Sequence, residues 1–303
     1  MKGNTNKKNR IKTDSATIDV VIIFISLIIC MITIYPMYYV VIKSISDPQL
    51  SLTNPVSFYP QGFYLGSYKL IVQDAMMWKA YANTIFYTIC GTLLMLINSV
   101  LCAYPLISSN LAGRKWVVRY LLVPMYFSGG MIPTFLLIQK LGLYDTRLAV
   151  ILPTAVGIMN VILTRTYFMT IPAEISESAS IDGASHFQIL LRIYLPLAKP
   201  ILAVVAIYTI VSIWNSYFNA MMYLPNKHLH PLQMYLQRIL ISQTVDLTEL
   251  KTAEQVQEAQ QKVLGATQLK YAMIVFVTLP IIFVYPLFQK HFMKGVMLGS
   301  LKG

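Results

Sequence analysis

The side chains of this chain that could perform chemistry are few and scattered. His228 and His230 are the only histidines close together in the sequence, and no third metal-ligating residue lies near them. A zinc site needs three or four clustered ligands, so no metal site is predicted. Cys30, Cys90 and Cys102 lie within apolar stretches, where a lone thiol behaves as a small apolar side chain. The sequence therefore predicts neither a metal centre nor a disulfide framework.

Groups for hydrolysis or nucleotide binding are also missing from the sequence. It contains no G-x-x-x-x-G-K-[ST] phosphate cradle and no evident nucleophile–base pair. Its apolar stretches hold no Asp or Glu beyond Asp19, whereas ion-coupled carriers place carboxylates within the membrane. An intramembrane enzyme and an ion-coupled secondary carrier are therefore disfavoured alternatives.

The composition places the chain in a lipid bilayer. Of its residues 56% are apolar and only 12% are charged, against about 25% in a soluble domain. Six uncharged stretches are long enough, or nearly so, to cross a hydrocarbon core about 30 Å thick. They are Val20–Ile42, Ile85–Ile107, Tyr120–Gln139, Leu148–Thr164, Ile201–Asn226 and Tyr271–Gln289. We predict an all-α membrane protein with six transmembrane helices.

The positive charge of the chain indicates its orientation. Lys and Arg number 24 against 12 Asp and Glu, a net charge of +12. Residues 1–16 are strongly basic, which by the positive-inside rule holds the amino end in the cytoplasm. With six spans, the carboxyl end is cytoplasmic as well. We therefore predict a multi-pass protein of the cytoplasmic membrane with both termini inside, and no binding of nucleic acid.

This topology divides the chain into five parts. A cytoplasmic basic amino terminus (1–16) and the first transmembrane helix (17–42) come first. An extracellular loop (43–79) follows, and its prolines predict irregular structure with little helix. A core of five helices (80–292) and a cytoplasmic tail (293–303) complete the chain.

Within the core, the extracellular loop 227–270 contains a stretch with the Glu, Gln and Ala content of a soluble helix. Glu249, Glu254 and Glu258 lie on a broad acidic side of this predicted helix. Two interpretations stand equally: a solvated helix, or a surface on which an extracellular partner docks.

The cytoplasmic segment 165–200 has the most organised pattern in the chain. A first short helix begins at a proline followed by acidic residues and ends at Gly183, since glycine readily adopts positive φ. Ser185 and Gln188 form a capping box that starts a second helix, and Pro196 is expected to end it. The sequence predicts a helix, a glycine turn and a second helix that project into the cytoplasm.

This segment resembles the EAA loop of binding-protein-dependent ABC importer permeases, whose pattern is E-A-A-x3-G-x9-I-x-L-P. The matching residues are Glu177, Ser178, Ala179, Gly183, Ile193, Leu195 and Pro196. Ser178 stands where the pattern has alanine, which is a small-for-small change.

Other segments are similar to the carbohydrate-uptake branch of that family, in the position of the second permease of a maltose-type importer. They are Asn83-Thr84, Gly130–Thr134, Leu141–Leu143, Trp214-Asn215 and Leu301–Gly303.

The resemblance implies a type I ABC importer permease fold, in which the five later helices form a half-channel against a second, different permease. It implies a dimeric ABC ATPase below the membrane, which binds ATP and Mg²⁺, so that this chain holds no cofactor itself. It also implies a sugar-binding lipoprotein above the membrane, an oligosaccharide substrate and a Gram-positive source.

The resemblance further implies roles for single residues. In this family the loop is a coupling helix that lies in a cleft of the ATPase, where Glu177 would pair with a basic residue and Gly183 would allow close backbone approach. The coupling residues expected by match are Glu174, Glu177, Ser178, Ala179, Asp182, Gly183, Ile193, Leu195 and Pro196. Lys302 and Gly303 are expected to contact the ATPase from the tail.

Polar side chains within the spans are candidates for the translocation path. They are Asn98, Asn160, Trp214, Asn215, Tyr217 and Asn219. Those of the fifth span fall at helical spacing, which suits either hydrogen bonds and stacking to a sugar or polar contacts between helices.

We therefore predict a permease subunit of an ATP-driven oligosaccharide importer that works by alternating access. The alternatives are an ion-coupled secondary sugar carrier and an ABC permease for a substrate other than sugar.

Overall fold

The computed structural model describes residues 7–50, 58–108, 111–241, 263–284 and 286, with the backbone alone for residues 7–17. The regular elements within these ranges are helices. They are α1 (Lys7–Ile45), α2 (Gly66–Gln73), α3 (Ala75–Ala103), α4 (Arg114–Tyr126), α5 (Met131–Lys140), α6 (Leu148–Thr154), α7 (Ile158–Phe168), α8 (Ala173–Ile181), α9 (His186–Leu197), α10 (Lys199–Trp214), α11 (Phe218–Tyr223), α12 (Leu232–Ile241) and α13 (Val263–Val284).

Three helices within the described ranges are long and apolar enough to cross a membrane unaided: α1, α3 and α13. Three further pairs reach that length only together, and each is bent at a short break. The bend is 111° between α4 and α5, 43° between α6 and α7, and 77° between α9 and α10. The count is therefore six spans when each bent pair is taken as one.

The breaks arise from residues that cannot continue a helix. Gly130, between α4 and α5, has φ 85° and ψ 176°, a conformation that a residue with a Cβ rarely adopts. On the two sides of the break between α9 and α10, Pro196 near the end of α9 and Pro200 at the start of α10 each lack the N–H that an uninterrupted helix would use. A hydropathy pattern does not register these bends, because the side chains on both sides of each break are apolar.

The predicted fifth span is wrong in its second half. The helix predicted over Ile201–Asn226 ends at Trp214, and the short helix α11 follows after a break. Asn215 caps α10, and its side-chain oxygen accepts a hydrogen bond from the Gln233 amide at 3.2 Å. A polar side chain that bonds elsewhere favours a helix end over a further helical turn.

The prediction of little helix in residues 43–79 is also wrong for the second half of that segment. Helix α2 and the first turn of α3 occupy it. Asp74 starts α3 as its N-cap, with the carboxylate accepting a hydrogen bond from the Met76 N–H at 2.7 Å. A capping carboxylate satisfies an N–H that the first turn leaves unpaired.

The described chain divides into two compact units. The first comprises residues 1–71 and 243–276. Within it, the buried Gln268 donates to the carbonyl oxygen of Ser46 at 2.7 Å and accepts from the Ser67 hydroxyl at 3.0 Å. One glutamine side chain thus joins the end of α1, helix α2 and helix α13.

The second unit comprises residues 72–242 and 277–303. In it α3 packs against α7 and α10. Gly91 permits the close approach of α10, because a Cβ at this position would lie 2.5 Å from Cδ1 of Ile213. The functional residues described next are positioned by this unit.

Candidate functional site: the 172–196 loop and the outer polar network

The first half of the 172–196 loop is a short helix that closes in a complete Schellman turn. Helix α8 ends with the Gly183 N–H donating to the Ser180 carbonyl at 3.1 Å and the Ala184 N–H donating to the Ala179 carbonyl at 3.0 Å. Gly183 has φ 80°, the left-handed conformation that glycine supplies in this motif. The predicted glycine turn is confirmed.

The capping box that starts the second half is also confirmed. The Ser185 hydroxyl accepts from the Gln188 N–H at 3.4 Å, and the Gln188 side-chain oxygen accepts from the Ser185 N–H at 2.8 Å. These reciprocal bonds satisfy two N–H groups at the start of α9.

The predicted end of that second helix at Pro196 is wrong. Helix α9 continues through Pro196 to Leu197, and its backbone widens to a π-turn over Leu190–Tyr194. The Leu195 N–H donates to the Leu190 carbonyl across this turn. The wider turn adjusts the hydrogen bonds just before a proline, which can donate none.

The loop is anchored on an aromatic cluster, which we define as the buried Phe168 and Tyr194 with the half-buried Tyr104. The Tyr194 ring lies 5.3 Å from each of the other two ring centroids and meets both edge to face. Tyr194 is 5% exposed and Phe168 is 1% exposed. The cluster joins α9 to α7 and to the residue that follows α3.

The predicted coupling residues divide between this anchor and the surface. Ala179, Ile193 and Leu195 are half-buried and pack against the core that contains the aromatic cluster. The exposed members are Glu174, Glu177, Ser178, Asp182, Gly183 and Pro196. Ile181 is 87% exposed and Phe187 is 62% exposed.

The exposed face thus combines carboxylates with large apolar side chains. Within the described residues, no cation lies within 4.0 Å of the Glu177 carboxylate. Such a face, on a rigidly anchored loop, has the composition of a protein–protein contact. Lys302 and Gly303, predicted to contact the ATPase, lie outside the described residues.

The residues predicted to line a translocation path lie at several separate places. The Asn98 amide donates to the Ala155 carbonyl at 2.9 Å and thereby links α3 to the break between α6 and α7. The buried Trp214 donates from its indole nitrogen to the Val277 carbonyl at 3.1 Å. Both side chains make contacts between elements of the chain, which is the alternative interpretation given above.

The predicted polar stripe on the fifth span does not form, because the helix breaks within it. Asn215 follows the last residue of α10, Tyr217 precedes α11, and Asn219 lies in α11. Asn160 lies in α7 and is half-buried. Glu249, Glu254 and Glu258 lie outside the described residues.

The structure also shows an arrangement that the sequence did not predict, the outer polar network of Asn83, Thr84, Tyr87, Arg147 and residues 228–232. The Asn83 amide donates to the carbonyl oxygens of His228 at 2.7 Å and His230 at 3.2 Å. The Arg147 guanidinium donates to the Asn83 side-chain oxygen at 3.4 Å.

Two further bonds complete the network. The Tyr87 hydroxyl donates to the Leu229 carbonyl, and the Leu232 N–H donates to the Thr84 hydroxyl, both at 2.7 Å. The paired histidines and the Asn83-Thr84 dipeptide were the only signals of this region in the sequence.

Beside the network, His230 is held as a neutral imidazole. Its Nε2 lies 2.8 Å from the Leu224 carbonyl and therefore donates, so Nδ1 accepts from the Arg238 guanidinium at 2.9 Å. Burial is the largest cause that lowers the pKa of His230, and the charges of Arg238 and Lys227 lower it further.

A second polar pair joins α12 to the start of α3. The Tyr235 hydroxyl donates to the Asp74 carboxylate, and this bond is the main cause that lowers the pKa of Asp74. Burial, followed by the bond to Asp74, raises the pKa of Tyr235 to about 12.

Comparison with known proteins identifies the class of this molecule. Residues 105–297 match the family described as the binding-protein-dependent transport system inner membrane component. The chain belongs to this family, and it is a membrane transport subunit of an ABC importer and not an enzyme.

Two relatives from Bacillus subtilis cover nearly the whole chain. Protein LplC is 37% identical over 272 residues, which span 90% of each chain. The polygalacturonan/rhamnogalacturonan transport system permease protein YtcP is 34% identical over 288 residues, spanning 94% of this chain and 98% of the relative.

A solved structure shares the fold. It is a bacterial ABC transporter involved in the import of the acidic polysaccharide alginate, with a TM-score of 0.79 and 33% identity over 96% of this chain and 100% of that one. The predicted family and membrane fold class are confirmed, and ion-coupled carriers and intramembrane enzymes are excluded. As its family requires, the chain works with a binding protein and further subunits.

Proposed function

We propose that this chain is one of two different permease subunits of an importer that moves an oligosaccharide by alternating access, driven by a separate dimeric ATPase that binds ATP and Mg²⁺. The carbohydrate substrate is supported by the names of YtcP and of the alginate importer. A sugar-binding lipoprotein delivers the substrate from outside.

The observation that carries the proposal is the construction of the 172–196 loop. One side of it is fixed to the membrane helices through Tyr194, whereas the other side exposes Glu177 and Ile181. When a partner displaces a loop that is anchored in this way, the membrane helices that contact it are displaced as well. We assign the exposed side to the cleft of the ATPase, with Glu177 paired to a basic residue there.

The remaining assignments follow from the orientation with both termini in the cytoplasm of a Gram-positive cell. The tail residues Lys302 and Gly303 then lie on the side of the ATPase. Glu249, Glu254 and Glu258 lie on the side of the binding protein and are assigned to its docking. The translocation path runs along the second unit, past Asn98, Asn160, Trp214, Asn215, Tyr217 and Asn219.

Photo-crosslinking in the intact complex tests the proposal. A benzoylphenylalanine is placed at Ile181, and a matched control is placed at Ile132, which is 68% exposed on α5. We expect mass spectrometry to identify an ABC ATPase in the product from Ile181 and not in the product from Ile132. Capture of no ATPase from Ile181, or its capture from both positions alike, contradicts the proposed coupling.

A further inference from the structure

A cluster of basic side chains lies on and around the outer polar network. Its members come from three parts of the chain that are distant in sequence. One member lies near the start of α3 and one directly before α6, and the others lie in the segment that comprises α12 and the turn before it. The basic cluster comprises Lys79, Arg147, Lys227, His228 and Arg238.

Asn83 connects the basic cluster to the outer polar network. It accepts from Arg147 and donates to the carbonyl oxygens of His228 and His230. Lys79 lies one helical turn before Asn83, and its Nζ is 3.4 Å from Nδ1 of His228. Arg147 and Lys79 therefore lie beside the part of the network that Asn83 forms with residues 228–230.

Arg147 is the best-positioned cation of the cluster. Its guanidinium lies over the Phe86 ring, 4.9 Å from the centroid, and bonds to Asn83 through Nη2. These two contacts fix the plane of the group, and the residue remains exposed. A guanidinium that is held in place and keeps further N–H groups available can bind a carboxylate through two parallel hydrogen bonds. It then loses little side-chain entropy on binding.

Within the part of the chain that the structure describes, the cations of the cluster outnumber the carboxylates near them. Within the described residues, none of its four permanent cations, Lys79, Arg147, Lys227 and Arg238, has a carboxylate within 4.0 Å.

The two nearby acids make their hydrogen bonds to groups outside the cluster. The Asp74 carboxylate accepts from Tyr235 and from the Met76 N–H, and that of Asp145 accepts from the Asn226 N–H. Within the described residues, four permanent cations therefore stand against two carboxylates, and the net positive charge that remains attracts an anion. The feature therefore points to an anionic ligand.

We propose that the basic cluster binds the carboxylate groups of an acidic oligosaccharide, one that contains uronic acid residues, as it enters the transport path. The inference rests on the proposed function and narrows its substrate class. In the orientation given above, the cluster lies at the outer end of the membrane helices, where a delivered saccharide arrives. Arg147 and Lys79 make the direct contacts.

Uptake by cells tests this inference. In the source bacterium deleted for this chain, uptake of trigalacturonate is compared with that of maltotriose, a neutral probe of equal length, after return of the wild type or a variant. We expect the double variant Lys79→Gln with Arg147→Gln to lower trigalacturonate uptake by about tenfold or more, the scale of two lost charge-assisted hydrogen bonds. Arg147→Lys should retain part of the uptake, since it keeps the charge.

The matched control is Arg119→Gln, which removes an exposed arginine from α4, away from the cluster. It should leave uptake at the wild-type level, and immunoblots of membranes verify equal amounts of each variant. Raised salt should weaken trigalacturonate uptake by the wild type more than by the double variant.

Each other outcome is decisive. Chain-dependent uptake of maltotriose without trigalacturonate overturns the acidic class and leaves the proposed function standing. Uptake of neither probe contradicts both. Weaker docking of the purified binding protein to the double variant, with unchanged trigalacturonate selectivity, reassigns the cluster to an acidic protein surface and overturns the inference.

Discussion

The side-chain amide of Asn83 donates to the backbone carbonyl of His228 across 2.7 Å, although the two residues are 145 positions apart. Asn83 is 4% exposed, so this bond joins the first turns of α3 to the turn before α12 in a site largely closed to water. The Arg147 bond to the same side chain adds the residue before α6. One buried asparagine thus joins the ends of separate helices.

We expect Asn83→Ala to destabilise the protein by about 1–3 kcal/mol, because it leaves the buried carbonyl group of His230 and the partly buried one of His228 without their donor. The measurement is thermal unfolding of the purified complex in detergent. The control is Gln139→Ala, which removes an exposed amide at the end of α5 and should leave the unfolding temperature unchanged. An equal shift in the two variants contradicts the assigned role of Asn83.

A second prediction concerns the turn in the 172–196 loop. Gly183→Pro should abolish uptake while the chain still inserts into the membrane, because proline locks φ near −65° where the turn has 80°. It also removes the N–H that bonds the Ser180 carbonyl. Normal uptake in this variant contradicts the role of the loop.

Two milder variants at Gly183 distinguish the effect of backbone strain from the effect of an added side chain at the surface of the loop. A Cβ at Gly183 meets nothing within 4 Å, so Gly183→Ala is opposed only by backbone strain of about 1–2 kcal/mol. Asparagine tolerates this conformation better, and Gly183→Asn should fold like the wild type. If the proposed ATPase contact is right, its side chain takes up space at that contact and lowers uptake severalfold. Wild-type uptake by Gly183→Asn shows instead that no close approach occurs there.

The third prediction concerns the anchor of the loop. Tyr194→Ala removes a buried ring that contacts Tyr104 and Phe168, and it should cost about 3–5 kcal/mol in unfolding free energy. Tyr194→Phe keeps the ring and serves as the matched control, with stability near that of the wild type. The expected functional result is that ATP hydrolysis in the complex continues in Tyr194→Ala while uptake falls. Equal loss of both activities indicates failed assembly and contradicts a specific role in coupling.

The 172–196 loop was predictable from sequence because its signals are local. A glycine stop acts through the hydrogen bonds of adjacent residues, and the Ser185–Gln188 box spans three positions. The π-turn before Pro196 was not predicted, because a proline ends a helix more often than it is accommodated by a wider turn. Adjacent residues thus determined where this loop turns, but they did not indicate that its second helix continues through the proline.

The outer polar network could not be predicted from the sequence, because its hydrogen bonds join residues that are far apart in the chain. Nothing in the sequence around Asn83 indicates that a turn 145 residues later supplies its partners. The end of α10 at Trp214 was missed as well, since the apolar run continues past Asn215. Hydropathy measures how readily a segment partitions into lipid. It does not show where a helix ends, because the residues on both sides of the end can be apolar.

The fourth prediction is a pH dependence that arises at His230. Its pKa is lowered from the ordinary value of 6.5, chiefly by burial, so the neutral imidazole is favoured in the folded protein. Between the lowered pKa and 6.5 the unfolded chain binds more protons than the folded one. The stabilisation is therefore complete above pH 6.5 and is lost as pH falls through the lowered pKa.

The groups that face this imidazole act in the expected directions. Arg238 and Lys227 lower its pKa, whereas Asp145 and the bond to the Leu224 carbonyl raise it. Protonation at Nδ1 also replaces the acceptor of the Arg238 hydrogen bond with a second donor. Acid should therefore loosen the contact between the turn and α12.

We expect the unfolding temperature of the wild type to fall as pH is lowered from 7.5 to 5, and this dependence to be smaller in His230→Gln. His228→Gln is the matched control, because His228 is exposed and lies only two residues away. It should keep the pH dependence of the wild type. If His228→Gln reduces the dependence while His230→Gln preserves it, the titrating group is His228, and the assignment of the buried neutral histidine is wrong.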